Sequence, residues 1–198
     1  MRPQNKILAL VSLIFFLGSA CREQEVTYAA WADLDFGKGT YTIRSKPDCG
    51  FTVKNHESRT VPLPTSLVNA LKERRGKVQG RWIFVNNAGQ PDGHFLRKLK
   101  ATALRAGINC GQCKTEITKG EYDKKGKVEV SCNTAPVCEH IYLHRFRKTC
   151  ATRWSDAGVP IRTIQHYLGH KSLETTTLYL GIADTEKMRG RINQAFGD

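Results

Sequence analysis

The chain has 198 residues, of which 40% are hydrophobic and 25% charged. That composition excludes a disordered or collagen-like chain, and the length suits one domain with its own core but is short for two. Lys and Arg number 31 against 18 Asp and Glu, a formal charge of +13, which points to a polyanionic partner, nucleic acid or an anionic membrane surface, without choosing between them.

The N-terminus imitates a targeting signal. Arg2 and Lys6 precede the apolar run from Ile7 to Leu17, and small residues Gly18, Ser19 and Ala20 lead to Cys21. This resembles a bacterial lipoprotein signal with Cys21 as the lipidated residue, although Gly18 stands where that pattern wants an aliphatic residue. The run is short for a membrane span. The other reading is the buried first helix of a folded domain, and residues 5–30 are accordingly expected to be helical.

Residues 33–39, rich in Asp and Gly, form a predicted turn region. Tyr41–Arg44, Gly50–Lys54 and Arg59–Leu63 are short strand-like runs bounded by turn residues, which predicts a small three-stranded antiparallel sheet. Pro64-Thr65-Ser66 opens a helix running to about Arg75. Trp82–Val85 reads as extended and 94–106 as helical, with Leu96, Leu99, Ala103 and Leu104 at helical spacing. A cysteine-rich segment follows. Helices are expected at about 143–156, 160–168, 172–180 and 184–195.

His144 and Arg147 are three apart on a predicted helix, so they share a face and can address one ligand. Tyr167-Leu168-Gly169-His170 follows, and Tyr179 comes nine residues after His170. Each of these residues taken singly is weak. In this order, the stretches Leu143–Thr152 and Ile164–His170 resemble the C-terminal catalytic box of the tyrosine recombinases, the phage integrase family. The resemblance extends upstream. Arg22, Glu25, Trp31 and Asp33 match the family's first active-site arginine and its surroundings. Lys54 lies five residues before the Arg59 of an R-T-V-P-L strand, where the family carries a lysine. Ala20-Cys21 departs from the family's usual Gly-Leu without removing a catalytic group.

The resemblance implies an α+β fold, mostly helical with the small antiparallel sheet, and six active-site residues: Arg22, Lys54, His144, Arg147, His170 and Tyr179. It implies a site-specific recombinase or integrase in which Tyr179 attacks a DNA phosphodiester to give a 3′-phosphotyrosyl link and a free 5′-hydroxyl. Arg22 and Arg147 would hold the non-bridging oxygens, Lys54 would protonate the leaving oxygen, His144 would act as base or relay, and His170 would donate to the phosphate. No catalytic cofactor is implied. The expected partners are double-stranded DNA and further protomers, in a tetramer on DNA. The chain, 1–198, reads as the catalytic domain without the N-terminal core-binding domain, which leaves a truncated, non-catalytic DNA-binding remnant as the alternative. On this reading the lipoprotein signal is a decoy, the location is cytoplasmic, and no membrane is involved.

Seven cysteines cannot all pair within one chain. Cys110 and Cys113 form C-x2-C, and Cys132 and Cys138 follow. A hairpin predicted between the pairs suggests a short zinc-ribbon-like insert over 110–140 with a structural, tetrahedral zinc, His140 being an alternative fourth ligand. The alternative is an ordinary loop with reduced thiols. If zinc is bound, it is expected to set how the helix carrying His144 and Arg147 enters the site.

Overall fold

The computed structural model describes residues 3–119, 126–180, 189–190 and 193–194, with side chains from residue 10 to 118 and from 126 onward within those stretches. Helices α1 (Pro3–Ser19) and α2 (Glu23–Thr27) lead into the three strands β1 (Leu34–Asp35), β2 (Thr40–Ile43) and β3 (Arg59–Pro62). Helices α3 (Thr65–Arg75) and α4 (Phe95–Arg105) follow, then the hairpin β4 (Lys114–Lys119) and β5 (Gly126–Ser131). Helices α5 (His144–Asp156), α6 (Ile161–Leu168) and α7 (Leu173–Thr177) complete the described elements.

Val11, Phe15 and Phe16 of the apolar run of α1 lie in the core. Phe15 lies edge-on to Tyr41 and Phe84, and Phe16 to Phe95, with ring centroids 5.2–5.3 Å apart. Such pairs add about 0.5–1.5 kcal/mol each beyond the burial of their area. Cys21, the candidate lipidation residue, is itself buried in this core, and burial pushes its thiol pKa up to about 12. Among the described residues no helix is long and apolar enough to cross a membrane.

The sheet is antiparallel in the order β1-β2-β3, with Leu34 opposite Tyr41 and Tyr41 opposite Val61. Two expectations need correcting. The third strand is Leu34–Asp35, from the stretch read as turn, and not 50–54. Phe51 makes only an isolated bridge to Lys46, because Phe51 and Val53 are drawn into the core while Lys54 and Asn55 turn away. The helix expected over 5–30 breaks at residues 20–22, where Ala20 takes a left-handed φ of +52°. Gly18 sits so close to α3 that a Cβ there would come within 2.8 Å of Leu67, so α1 ends pressed against its neighbour. Trp82–Val85 contributes only isolated bridges, to Ala30 and Pro91.

The hairpin stands apart from this core. Its strands pair from Lys114 opposite Ser131 to Lys119 opposite Gly126. Residues 120–125 of the expected hairpin lie outside the described residues, as does most of the helix expected near 184–195.

Candidate active site

The break after α1 starts the site. Arg22 has extended backbone at the N-terminus of α2 and donates its N–H to Glu25 Oε2 at 2.8 Å. A carboxylate three residues into a helix satisfies an otherwise orphaned donor. The Arg22 guanidinium also pairs with Glu25 Oε1 at 3.1 Å. Glu25 is buried, and its Oε2 accepts from Arg59 at 2.7 Å. Burial alone would raise the Glu25 pKa, but the charge and hydrogen bond of Arg59, with Arg22 beside it, hold it below the usual carboxylate range. Arg59 Nε donates to the carbonyl of Tyr167 at 2.8 Å. One carboxylate thereby joins α2, β3 and the end of α6.

Arg147 performs a similar join from α5. Its guanidinium, 1% exposed, donates to the carbonyls of Ala20, at 2.5 Å, and Leu168. Its Nε has no partner among the described residues. Burial, reinforced by the nearby Arg22 charge, lowers the Arg147 pKa to about 10, which still leaves it charged at neutral pH. The left-handed Ala20, the unforeseen break in the first helix, is therefore what presents a carbonyl to Arg147.

Helix α6 ends at Gly169, whose φ of +61° and ψ of +47° form a left-handed cap. Its carbonyl accepts from Asn55 Nδ2 at 3.0 Å and from Arg22 at 3.4 Å. His170 follows at once, and its Nδ1 lies 3.1 Å from the hydroxyl of buried Thr176 on α7. Tyr179 comes just after α7. Its carbonyl accepts from Thr152 Oγ1 at 3.2 Å, and its ring meets His170 with centroids 4.9 Å apart and His144 at 6.2 Å. Lys148 Nζ lies 5.6 Å from the Tyr179 ring centroid.

A cleft of about 440 Å³ is lined by Arg22, Asn55, Arg59, Arg162, His170 and Lys171, among others, with Glu57 the acidic residue in its wall. Its electrostatics suit an anion. Desolvation first, then the charges of Arg147, Arg22 and Arg59, depress the His170 pKa to about 4. His144 is also held below the usual histidine range, by desolvation and then by Arg147, Arg22, Lys148 and Lys54. Both imidazoles are thus neutral at physiological pH.

Of the six candidate residues, Arg22 and His170 line the cleft together, and Tyr179 and His144 join them through ring contacts. Arg147 lies buried beneath, and Lys54 is exposed on the turn before β3, its charge bearing on His144. Sequence reasoning missed Arg59, Asn55 and Thr176 as parts of the site. Arg59 and Asn55 sit in the motif stretch around Lys54, and Thr176 lies three residues before Tyr179, so position in the chain was the one signal available.

The cysteine cluster forms as its spacing suggested. The four Sγ atoms of Cys110, Cys113, Cys132 and Cys138 lie within 4.8 Å of one another. From Cys110 the separations are 3.3, 3.8 and 3.7 Å. Four thiolates about 2.3 Å from a tetrahedral zinc stand about 3.8 Å apart. The backbone N–H groups of Gln112 and Glu139 donate to Cys110 and Cys113 Sγ at 3.5 and 3.4 Å, contacts of the kind that orient thiolate ligands in metal sites. His140 is exposed and lies outside this grouping.

Residues 3–186 match the model of the family described as Phage integrase family. Tyrosine recombinase XerA of Pyrococcus furiosus is 26% identical over 179 residues, covering 89% of this chain and 51% of that protein. The crystal structure of XerA recombinase aligns at a TM-score of 0.61 and 21% identity, over 98% of this chain and 64% of that one. The Tn1549 transposon integrase, solved in complex with a circular intermediate DNA, aligns at 0.64 and 14% identity over 98% of this chain and 65% of that one. The chain spans about half the length of the curated relatives it matches.

Proposed function

The chain belongs to the phage integrase family, and from that membership we propose that it is a site-specific DNA recombinase working through a 3′-phosphotyrosyl intermediate. The observation that carries the reading is the contact of the Tyr179 ring with His170 and His144 at the edge of the Arg22 cleft. It joins the one nucleophile in the right sequence position to a cationic anion site.

In the proposed reaction the Tyr179 phenolic oxygen bonds to phosphorus, and His144, neutral and therefore able to accept, takes its proton. Arg22 donates to the non-bridging oxygens, and Arg147, buried beneath the cleft with its terminal nitrogens on the Ala20 and Leu168 carbonyls, adds its positive charge from below. Thr176 bears on the tautomer of His170. A neutral imidazole whose Nδ1 accepts from the Thr176 hydroxyl carries its proton on Nε2 and presents that N–H to the phosphate. Lys54 delivers a proton to the departing 5′-oxygen. Bond energy is conserved in the protein–DNA ester, so rejoining needs no nucleotide, and we assign no catalytic cofactor. The partners are double-stranded DNA and further copies of the chain, assembled as a tetramer on DNA.

The test is a nicked suicide substrate resolved on a denaturing gel. A covalent protein–DNA band is expected, absent in Tyr179→Phe. A band that survives this substitution removes the nucleophile assignment, and DNA binding without any band leaves the chain a non-catalytic DNA-binding remnant.

The insert over 110–140 belongs to the same proposal as a zinc-ribbon-like hairpin. Cys110, Cys113, Cys132 and Cys138 would hold a structural zinc, on the strength of their mutual distances and the two N–H donors to sulfur. Metal analysis of the purified protein, expected to give one zinc per chain, tests it. Metal-free protein with full activity refutes it.

A further inference from the structure

Lys54 poses a problem for the proposed reaction. Its side chain is exposed, on a turn, yet a general acid must be held within reach of one oxygen. A lysine carries about 2 kcal/mol of rotamer entropy, so its backbone must be fixed if the ammonium is to be delivered reliably.

The turn that carries it is tied at both ends. Val53 is buried, and its N–H donates to Ser45 Oγ at 3.0 Å. The His56 N–H closes the turn on the Val53 carbonyl at 2.8 Å, with His56 itself at a left-handed φ of +58°. Between these points lies Asn55, whose Nδ2 reaches 114 residues along the chain to the Gly169 carbonyl at 3.0 Å. A carbonyl only accepts, so Asn55 must present its amide N–H there. That carbonyl also takes Arg22 and immediately precedes His170.

We propose that Asn55 is a positioning residue that latches the Lys54 turn to the Gly169–His170 turn, so that the acid and the phosphate-binding groups move as one unit. This rests on the assignment of Lys54 as the acid. The latch works through the hydrogen bond, not through bulk. Asn55→Asp, of the same shape but without the donor, should therefore behave as Asn55→Ala does.

The test separates acid delivery from general damage. DNA with a sulfur in place of the 5′-bridging oxygen releases a thiol, whose pKa of about 8.5 lets it leave without a proton donor. On ordinary DNA, Asn55→Ala and Asn55→Asp are expected to cleave at least about tenfold more slowly than the unsubstituted chain, a barrier change of about 1.4 kcal/mol. On the sulfur-bridged substrate both should return to the unsubstituted rate, in parallel with Lys54→Ala. Slow cleavage of both substrates by the Asn55 variants, with Lys54→Ala rescued, overturns the latch while leaving the acid in place. Normal cleavage of ordinary DNA by the Asn55 variants overturns it too. Failure of sulfur to rescue Lys54→Ala instead overturns the acid assignment in the proposed function, and the role of Asn55 falls with it.

Discussion

The arginine cradle and the cysteine insert are neighbours in sequence but are built on opposite principles. The cradle is closed by polar contacts between distant parts of the chain. Arg59 to Tyr167 spans 108 residues and Arg147 to Ala20 spans 127. Closing such loops is entropically costly, so these bonds depend on the packing that holds α1, α5 and β3 together. The insert is short-range: its outermost sulfurs, Cys110 and Cys138, are 28 residues apart. Strand β5 is exposed over Gly126–Glu129, with the large apolar Val128 open to solvent. A lone two-stranded hairpin is marginal in water. The cradle therefore rests on a core, whereas the described residues of the insert bring no apolar cluster of their own but do gather four sulfurs.

The largest expected effect sharpens that contrast. Structural zinc contributes about 10–16 kcal/mol in zinc-finger peptides, so chelation or Cys132→Ser should remove hydrogen-exchange protection from β4 and β5 while β3 keeps its own. Simultaneous loss in β3 would show that insert and cradle are one cooperative unit. Next comes Arg147→Met, which leaves the Ala20 and Leu168 carbonyls without their donor. Buried groups left unpaired cost about 1–3 kcal/mol each, so the unfolding free energy from urea denaturation should fall by about 3 kcal/mol while zinc content is unchanged. Zinc loss in that variant would break the comparison from the other side.

Gly169→Ala should cost about 1–2 kcal/mol, because alanine is disfavoured in the left-handed region. Its Cβ would also come within 3.2 Å of the Arg59 guanidinium. Chemical denaturation measures this, and a neutral result would show that the α6 cap is looser than drawn.

The last effect is a slope in pH. The unfolded chain protonates His170 near pH 6.5, whereas the folded site resists until about 4. The unfolded state thus binds the extra proton as pH falls between those values, and stability declines across that window. His170→Asn should flatten the decline. An unchanged slope would place the titration elsewhere.

Much of this candidate site was legible from the chain because its proposed residues sit in short local motifs. His144 and Arg147 are one helical turn apart, His170 follows the glycine cap, and the four cysteines have ligand-like spacing. Arg59 was legible only as part of a strand motif. Its pairing with Glu25 depends on β3 and α2 meeting in space, and no local spacing encodes that. The strand assignment at 50–54 failed for a related reason. Alternation of Phe51 and Val53 marks burial, and burial in a loop gives the same pattern as burial in a sheet.

The sequence by itself determined the chemistry available: a tyrosine placed after a histidine turn, a set of arginines and a lysine, four closely spaced cysteines, and an apolar first segment that also imitates an export signal. Only the tertiary structure decided how these are used. It buries Val11, Phe15 and Phe16 of that segment in the core, breaks the chain at Ala20 to offer Arg147 a carbonyl, and converges Arg22, Asn55 and Arg59 on the turn at Gly169. The physical reason is range. Residue types and local spacing act over a helical turn or a hairpin, whereas the position of a guanidinium against a backbone carbonyl more than a hundred residues away is fixed only by how the core packs.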